Sequence, residues 1–163
     1  AATLVICSTL AVGSTASAQL SPYAQGPQFQ TMVRGIPSTC RSHDNMQVAF
    51  YSDISLNNIG IATRINGNPI IIMNPNISNQ FSDLVTVWWV AHECAHHALY
   101  PQYNNETRAD CLAIKQLVQY GLLSNASQLN AFSIELQNLP GNSTTGHLPG
   151  PMRARAIAQC ALS

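Results

Sequence analysis

Trp88-Trp89-Val90-Ala91-His92-Glu93-Cys94-Ala95-His96-His97 is the stretch from which the fold is read. His92, Glu93 and His96 fill the three fixed places of an H-E-x-x-H pattern. Residues four apart on an α-helix lie nearly above one another, so the two imidazoles project from one face. Neutral imidazoles at that spacing can enter a single tetrahedral shell around a zinc ion. Glu93 lies beside them, within reach of a water that the ion would acidify. Taken alone, the pattern is equally a polar helix face that carries two histidines. A second stretch weighs between the two.

That stretch is Asn105-Glu106-Thr107-Arg108-Ala109-Asp110-Cys111. Pro101 cannot continue the first helix, which is expected to end near Leu99 or Tyr100. Asn104 or Asn105 suits the N-cap of the next helix. A connection this short makes the two helices antiparallel neighbours. Glu106 then stands level with His96, and Asp110, one turn further on, reaches back towards His92. Glu106 can complete a metal shell. Asp110 can accept the free ring N–H of a ligand histidine, the contact that fixes the imidazole tautomer at zinc sites. The plainer alternative is a helix-start acid favoured by the macrodipole and a solvated aspartate. It sits poorly with a chain that holds only seven acidic residues.

Together, His92, Glu93, His96, Glu106 and Asp110 resemble the gluzincin zinc metallopeptidases, whose third ligand is a glutamate on a following helix. The run Glu106-Thr107-Arg108-Ala109-Asp110 is similar to the E-x-x-A-D form of the family that includes CAAX prenyl endopeptidases and bacterial heat-shock membrane peptidases. Near the end, His147-Leu148-Pro149-Gly150-Pro151-Met152-Arg153 keeps that family's histidine and arginine spacing, with Leu148 where a proline usually follows the histidine. The resemblance covers the motif helices and the C-terminal segment, not the whole chain. The gap from His96 to Glu106 is much shorter than in the larger members, so the chain resembles a minimal gluzincin. The resemblance implies one zinc ion held by His92, His96 and Glu106, with Glu93 as general base and Asp110 orienting His92. It further implies that His147 and Arg153 stabilise the oxyanion, and that an edge strand just before the motif helix binds extended peptide.

Outside the motifs the chain reads as α+β. Residues 47–51, 59–65 and 69–73 are β-rich, and Asn66-Gly67-Asn68 marks a tight turn between the last two. A small antiparallel sheet is expected, packed on a zincin-type helical core. Ser82 or Asp83 is expected to cap the motif helix. The second helix runs to Tyr120 and stops at Gly121. Further helices are expected over residues 127–139 and 154–162. Trp88, one turn before His92, belongs to the core or the cleft wall. His97 lies ~100° around the helix from His96 and is given a hydrogen-bonding or surface role. His43 reads as a surface histidine.

The N-terminal residues suggest export. An apolar run over residues 2–12, then Ala16-Ser17-Ala18, has the core and cleavage site of a signal peptide that lacks its charged start. The run is too short for the ~20 residues of a membrane span. Residues 1–18 are therefore expected to be removed, giving a periplasmic or extracellular protein with no membrane segment. Residues 19–39, rich in Gln, Pro, Ser and Gly, read as an extended or disordered arm, and residues 40–163 as one metallopeptidase-like domain. Cys40, Cys94, Cys111 and Cys160 remain, an even set that an oxidising compartment would pair in one of three ways. Cys94 points away from the metal face, which favours a bridging role over a ligand role.

A net charge of zero gives no field for nucleic acid. No G-x-S-x-G supports a serine nucleophile. The expected activity is zinc-dependent hydrolysis of peptide or protein substrates. The alternatives are a secreted, non-catalytic binding protein with a peptidase fold, or a hydrolase of cell-wall peptide amides. The sequence does not indicate an oligomeric state.

Overall fold

A computed structural model of the chain describes residues 19–141 and 146–161, so the expected signal segment at residues 1–18 lies outside the described residues. Six strands come first, and helices carry the second half. The strands are β1 (Gln25–Gln28), β2 (Thr31–Val33), β3 (Ile36–Ser38), β4 (Ala49–Ser52), β5 (Gly60–Ile65) and β6 (Asn68–Met73). The helices are α1 (Pro75–Ser78), α2 (Asp83–Ala98), α3 (Glu106–Gln119), α4 (Ala126–Gln137) and α5 (Gly150–Ala161), with a 3₁₀ turn at Pro101–Tyr103 between α2 and α3. The class is α+β. Among the described residues no helix is long and apolar enough to cross a membrane.

β5 and β6 form the hairpin that the Asn66-Gly67 turn demands. Both turn residues have positive φ, 50° and 81°, and such a turn matches the twist of the strands it joins. The sheet itself is mixed rather than antiparallel. Its order is β1-β4-β6-β5, and β4 runs parallel to β6 because the chain crosses to the far side before the hairpin begins. This also corrects the expected edge. β6, the strand just before the helices, is interior, and β5 closes the sheet. Ile70, Ile71 and Ile72 are all buried because both faces of β6 are covered. Ile71 joins the main core with Trp88, Trp89 and Ile114, whereas Ile70 and Ile72 pack into a second cluster with Ala49.

Residues 25–38 are extended, but they are paired and reach the core rather than standing apart as an arm. β1 pairs with β4, β2 with β3, and Val33 is buried in the main core. β2 and β3 form a local hairpin turning at Arg34-Gly35, with φ 51° and 79°, whereas the β1–β4 pairing is non-local and neither composition nor periodicity announces it.

The motif helix α2 is central. Ser82 caps it, accepting from the Val85 N–H at 3.3 Å, and Trp88 and Trp89 are 0% and 1% exposed. Gly60 opens β5 against this helix: a Cβ there would press on the Trp89 indole and the Met73 sulfur. Asn105 caps α3 through the Arg108 N–H at 3.0 Å. Gly121, at φ 71°, follows the α3 C-terminus. The last helix begins at Gly150, a turn earlier than expected.

Two disulfides fasten the helices that carry the motifs. Cys40–Cys94 ties the back of α2 to the entry of the sheet, and Cys111–Cys160 ties α3 to α5. Both bridges suit an oxidising compartment. Cross-linking across 54 residues removes about 4 kcal/mol of loop-closure entropy from the unfolded chain. The double variant Cys40→Ser/Cys94→Ser is therefore expected to lose stability of that order in urea denaturation, with an unchanged midpoint contradicting the clamp.

Candidate metal centre

Four helix-borne side chains meet where α2 and α3 lie side by side. The contacts run in opposite chain directions, as antiparallel helices require: His92 Nδ1 lies 2.8 Å from Asp110 Oδ1, and His96 Nε2 lies 3.1 Å from Glu106 Oε1. His92 Nε2 is 3.5 Å from Glu106 Oε2 and 3.1 Å from His96 Nε2. Zinc bonds of about 2.05 Å in a tetrahedron separate neighbouring ligand atoms by about 3.3 Å. The spacings bracket that value.

The tautomers agree with the spacings. His92 Nδ1 faces a carboxylate, which only accepts, although the ring N–H lies off a straight hydrogen-bond line. His96 Nδ1 lies 2.7 Å from Asn104 Oδ1. Asn104 cannot turn its amide over, because its Nδ2 donates to the His96 carbonyl at 3.0 Å. In their neutral forms both rings therefore carry the proton on Nδ1 and aim an Nε2 lone pair at the same point. Two lone pairs and a carboxylate converging there fit a cation.

Glu93 is 1% exposed, and its Oε1 lies 3.4 Å from His147 Nε2 without a well-formed hydrogen bond. His92, Glu93, His96 and His147 offer ligand atoms all within 4.8 Å of one another, and this group can hold a metal ion. Two donor sets thus share His92 and His96, one completed by Glu106 and the other by His147 and Glu93.

Arg153 departs from its expected place. It is 0% exposed and does not line the cleft. Its Nη1 donates to Asp110 Oδ1 at 2.9 Å, its Nη2 to Glu106 Oε2 at 2.8 Å, and its Nε to the Leu148 carbonyl at 3.0 Å. These bonds turn the guanidinium towards α3, and its full burial outside the cleft wall keeps it from a substrate oxyanion. It instead locks the two carboxylates of α3 in place, stacked near the Trp89 ring at 5.0 Å. His147, by contrast, is in the cleft wall. His97 is buried, with Nε2 2.8 Å from the Ile70 carbonyl, and burial pushes its pKa down. His43 is half-buried at the cleft rim, not on open surface, with Nδ1 3.2 Å from the His97 carbonyl.

The cleft has a volume of about 480 Å³. Ile61, Ala62 and Thr63 of the edge strand β5 form one wall, and Glu93, His96 and Glu106 line it too. Sequence reasoning offers Asn104 only as a helix cap and misses its contact with His96, and it misses Asn58, whose Nδ2 lies 3.0 Å from His147 Nδ1. Nothing marks either contact in a chain rich in asparagine, since both depend on which amide atom faces the histidine. Comparison of the chain with protein-family models, curated proteins and solved structures finds no match in any of the three.

Burial lowers the His92 pKa, but the contacts with Asp110 and Glu106 outweigh it and raise the value to about 8. For Glu106 burial pushes upward, and its bonds to His92 and His96 outweigh that and hold it well below the usual carboxylate range. The sign for His92 is that of a histidine gaining partners. Its protonation stabilises the metal-free fold below pH 6.5, and that contribution is lost as pH rises through about 8. An ion must displace this proton. Zinc affinity, measured by chelator competition, is expected to rise about tenfold per pH unit below 8 and then level off.

Proposed function

We propose that the protein is a zinc-dependent peptidase of gluzincin type. The observation that carries this reading is the convergence of His92 Nε2, His96 Nε2 and the Glu106 carboxylate at 3.1–3.5 Å. Those three residues would hold one zinc ion, with Asp110 and Arg153 fixing the His92 ring and the Glu106 carboxylate. A zinc ion there supplies Lewis acidity, polarising a scissile carbonyl and acidifying a water.

The remaining work falls to the chain's own side chains. Glu93, buried beside the pair and open to the cleft, takes the proton of the attacking water and returns it to the leaving amine. The outer edge of β5 offers backbone groups to an extended substrate, so a peptide is bound by strand addition along Ile61, Ala62 and Thr63. β5 takes over the role that the resemblance gave to the strand before the helix. The disulfides agree with export to an oxidising compartment.

Two variants test the reading against an unfolded protein substrate. Glu93→Gln keeps zinc and lowers the rate about 10²–10⁴-fold, the range for losing a positioned base. His96→Ala loses both zinc and cleavage. Zinc content by mass spectrometry and peptide release are the two measurements. Undiminished cleavage by Glu93→Gln would remove the glutamate from the mechanism.

A further inference from the structure

We propose that Asn58 holds His147 as an Nε2–H donor facing the cleft and so keeps it out of the metal shell. The argument starts at the backbone. Asn58 Oδ1 accepts from the Ile59 N–H at 2.7 Å. A backbone N–H only donates, so turning the amide over would set donor against donor. Asn58 therefore presents Nδ2 to His147 Nδ1, at 3.0 Å. An amide NH₂ also only donates, which leaves Nδ1 as the acceptor and places the proton of the neutral ring on Nε2. The other side of the ring agrees, because Nε2 faces Glu93 Oε1 at 3.4 Å and a carboxylate only accepts. The ring is 6% exposed and packed edge-on against Trp89 at 5.1 Å, so it is not free to swing over.

The contrast with His96 makes the assignment specific. Asn104 and Asn58 are each locked by a main-chain group, yet they turn opposite ends of the amide to their histidines. A neutral histidine that ligates through Nε2 carries its proton on Nδ1. His96 meets that condition. His147 does not, and its Nδ1 is occupied by Asn58. Of the two overlapping donor sets, the one completed by Glu106 is then the metal shell. Within the peptidase reading, on which this role rests, the His147 Nε2–H is the donor aimed at charge developing on the attacked carbonyl. Asn58 acts through it as a positioning residue.

The test uses ¹⁵N-labelled, metal-free full chain above neutral pH, with long-range correlations across the histidine rings. His147 is expected to show a bare Nδ1 and a protonated Nε2. In Asn58→Asp the carboxylate can only accept from Nδ1, so Nδ1 should become protonated, with Nε2 either bare or, between the new carboxylate and Glu93, still protonated as in an imidazolium. A protonated Nδ1 in the parent protein, or the same pattern in both, overturns the proposal. Cobalt(II) titration gives a second readout: His147→Ala should bind the ion with unchanged affinity and visible spectrum. A loss of about tenfold or more, the size expected for a group coupled to the metal, also overturns it. Neither measurement involves turnover, so failure here is distinguishable from failure of the peptidase reading.

Discussion

Charge balance around α2 and α3 is the constraint from which the centre follows. Glu93 and Asp110 are 1% and 0% exposed, and the Glu106 side chain is 18% exposed. These carboxylates bring three formal negative charges together, and Arg153, itself 0% exposed, returns one positive charge. An uncompensated buried charge costs several kcal/mol, so a divalent cation is the natural complement of what remains. The raised pKa of His92 expresses the same deficit, since a proton there partly substitutes for the missing charge. The two imidazole lone pairs then give the cation a place as well as a reason.

The rest of the architecture serves that constraint. α2 supplies two imidazoles and a glutamate from adjacent turns, and α3 supplies two carboxylates in the reverse direction. α5 delivers the guanidinium that ties those carboxylates together. Each of these helices is fastened by a disulfide, α2 through Cys94 and the other two to each other through Cys111 and Cys160. The tryptophan pair fills the space behind the imidazoles, with Trp88 5.5 Å from the His92 ring. The sheet contributes the opposite wall, and its edge strand β5 stands on the cleft side.

Much of this was legible in the residues because it is local. Helix periodicity put His92 and His96 on one face, and Pro101 and the Asn105 cap bounded the connection that turns Glu106 and Asp110 back onto them. The Asn66-Gly67 turn likewise named its own hairpin. What was not legible depends on distant partners. Strand propensity carries no order, so the parallel pairing of β4 with β6 and the position of the edge were hidden. Whether Arg153 faces solvent, substrate or the helix interior is decided by how α5 packs on α3, which its own neighbours do not encode. The two positioning asparagines differ only in which amide atom the backbone captures, a distinction no motif records.

The most direct measurement is anomalous diffraction at the zinc absorption edge from crystals grown with zinc. The account predicts a single peak between His92, His96 and Glu106, bonded to Nε2 of both rings and to the carboxylate, with His147 outside bonding distance. An absent peak, or one bonded elsewhere while Glu106 turns away from the histidines, would contradict it.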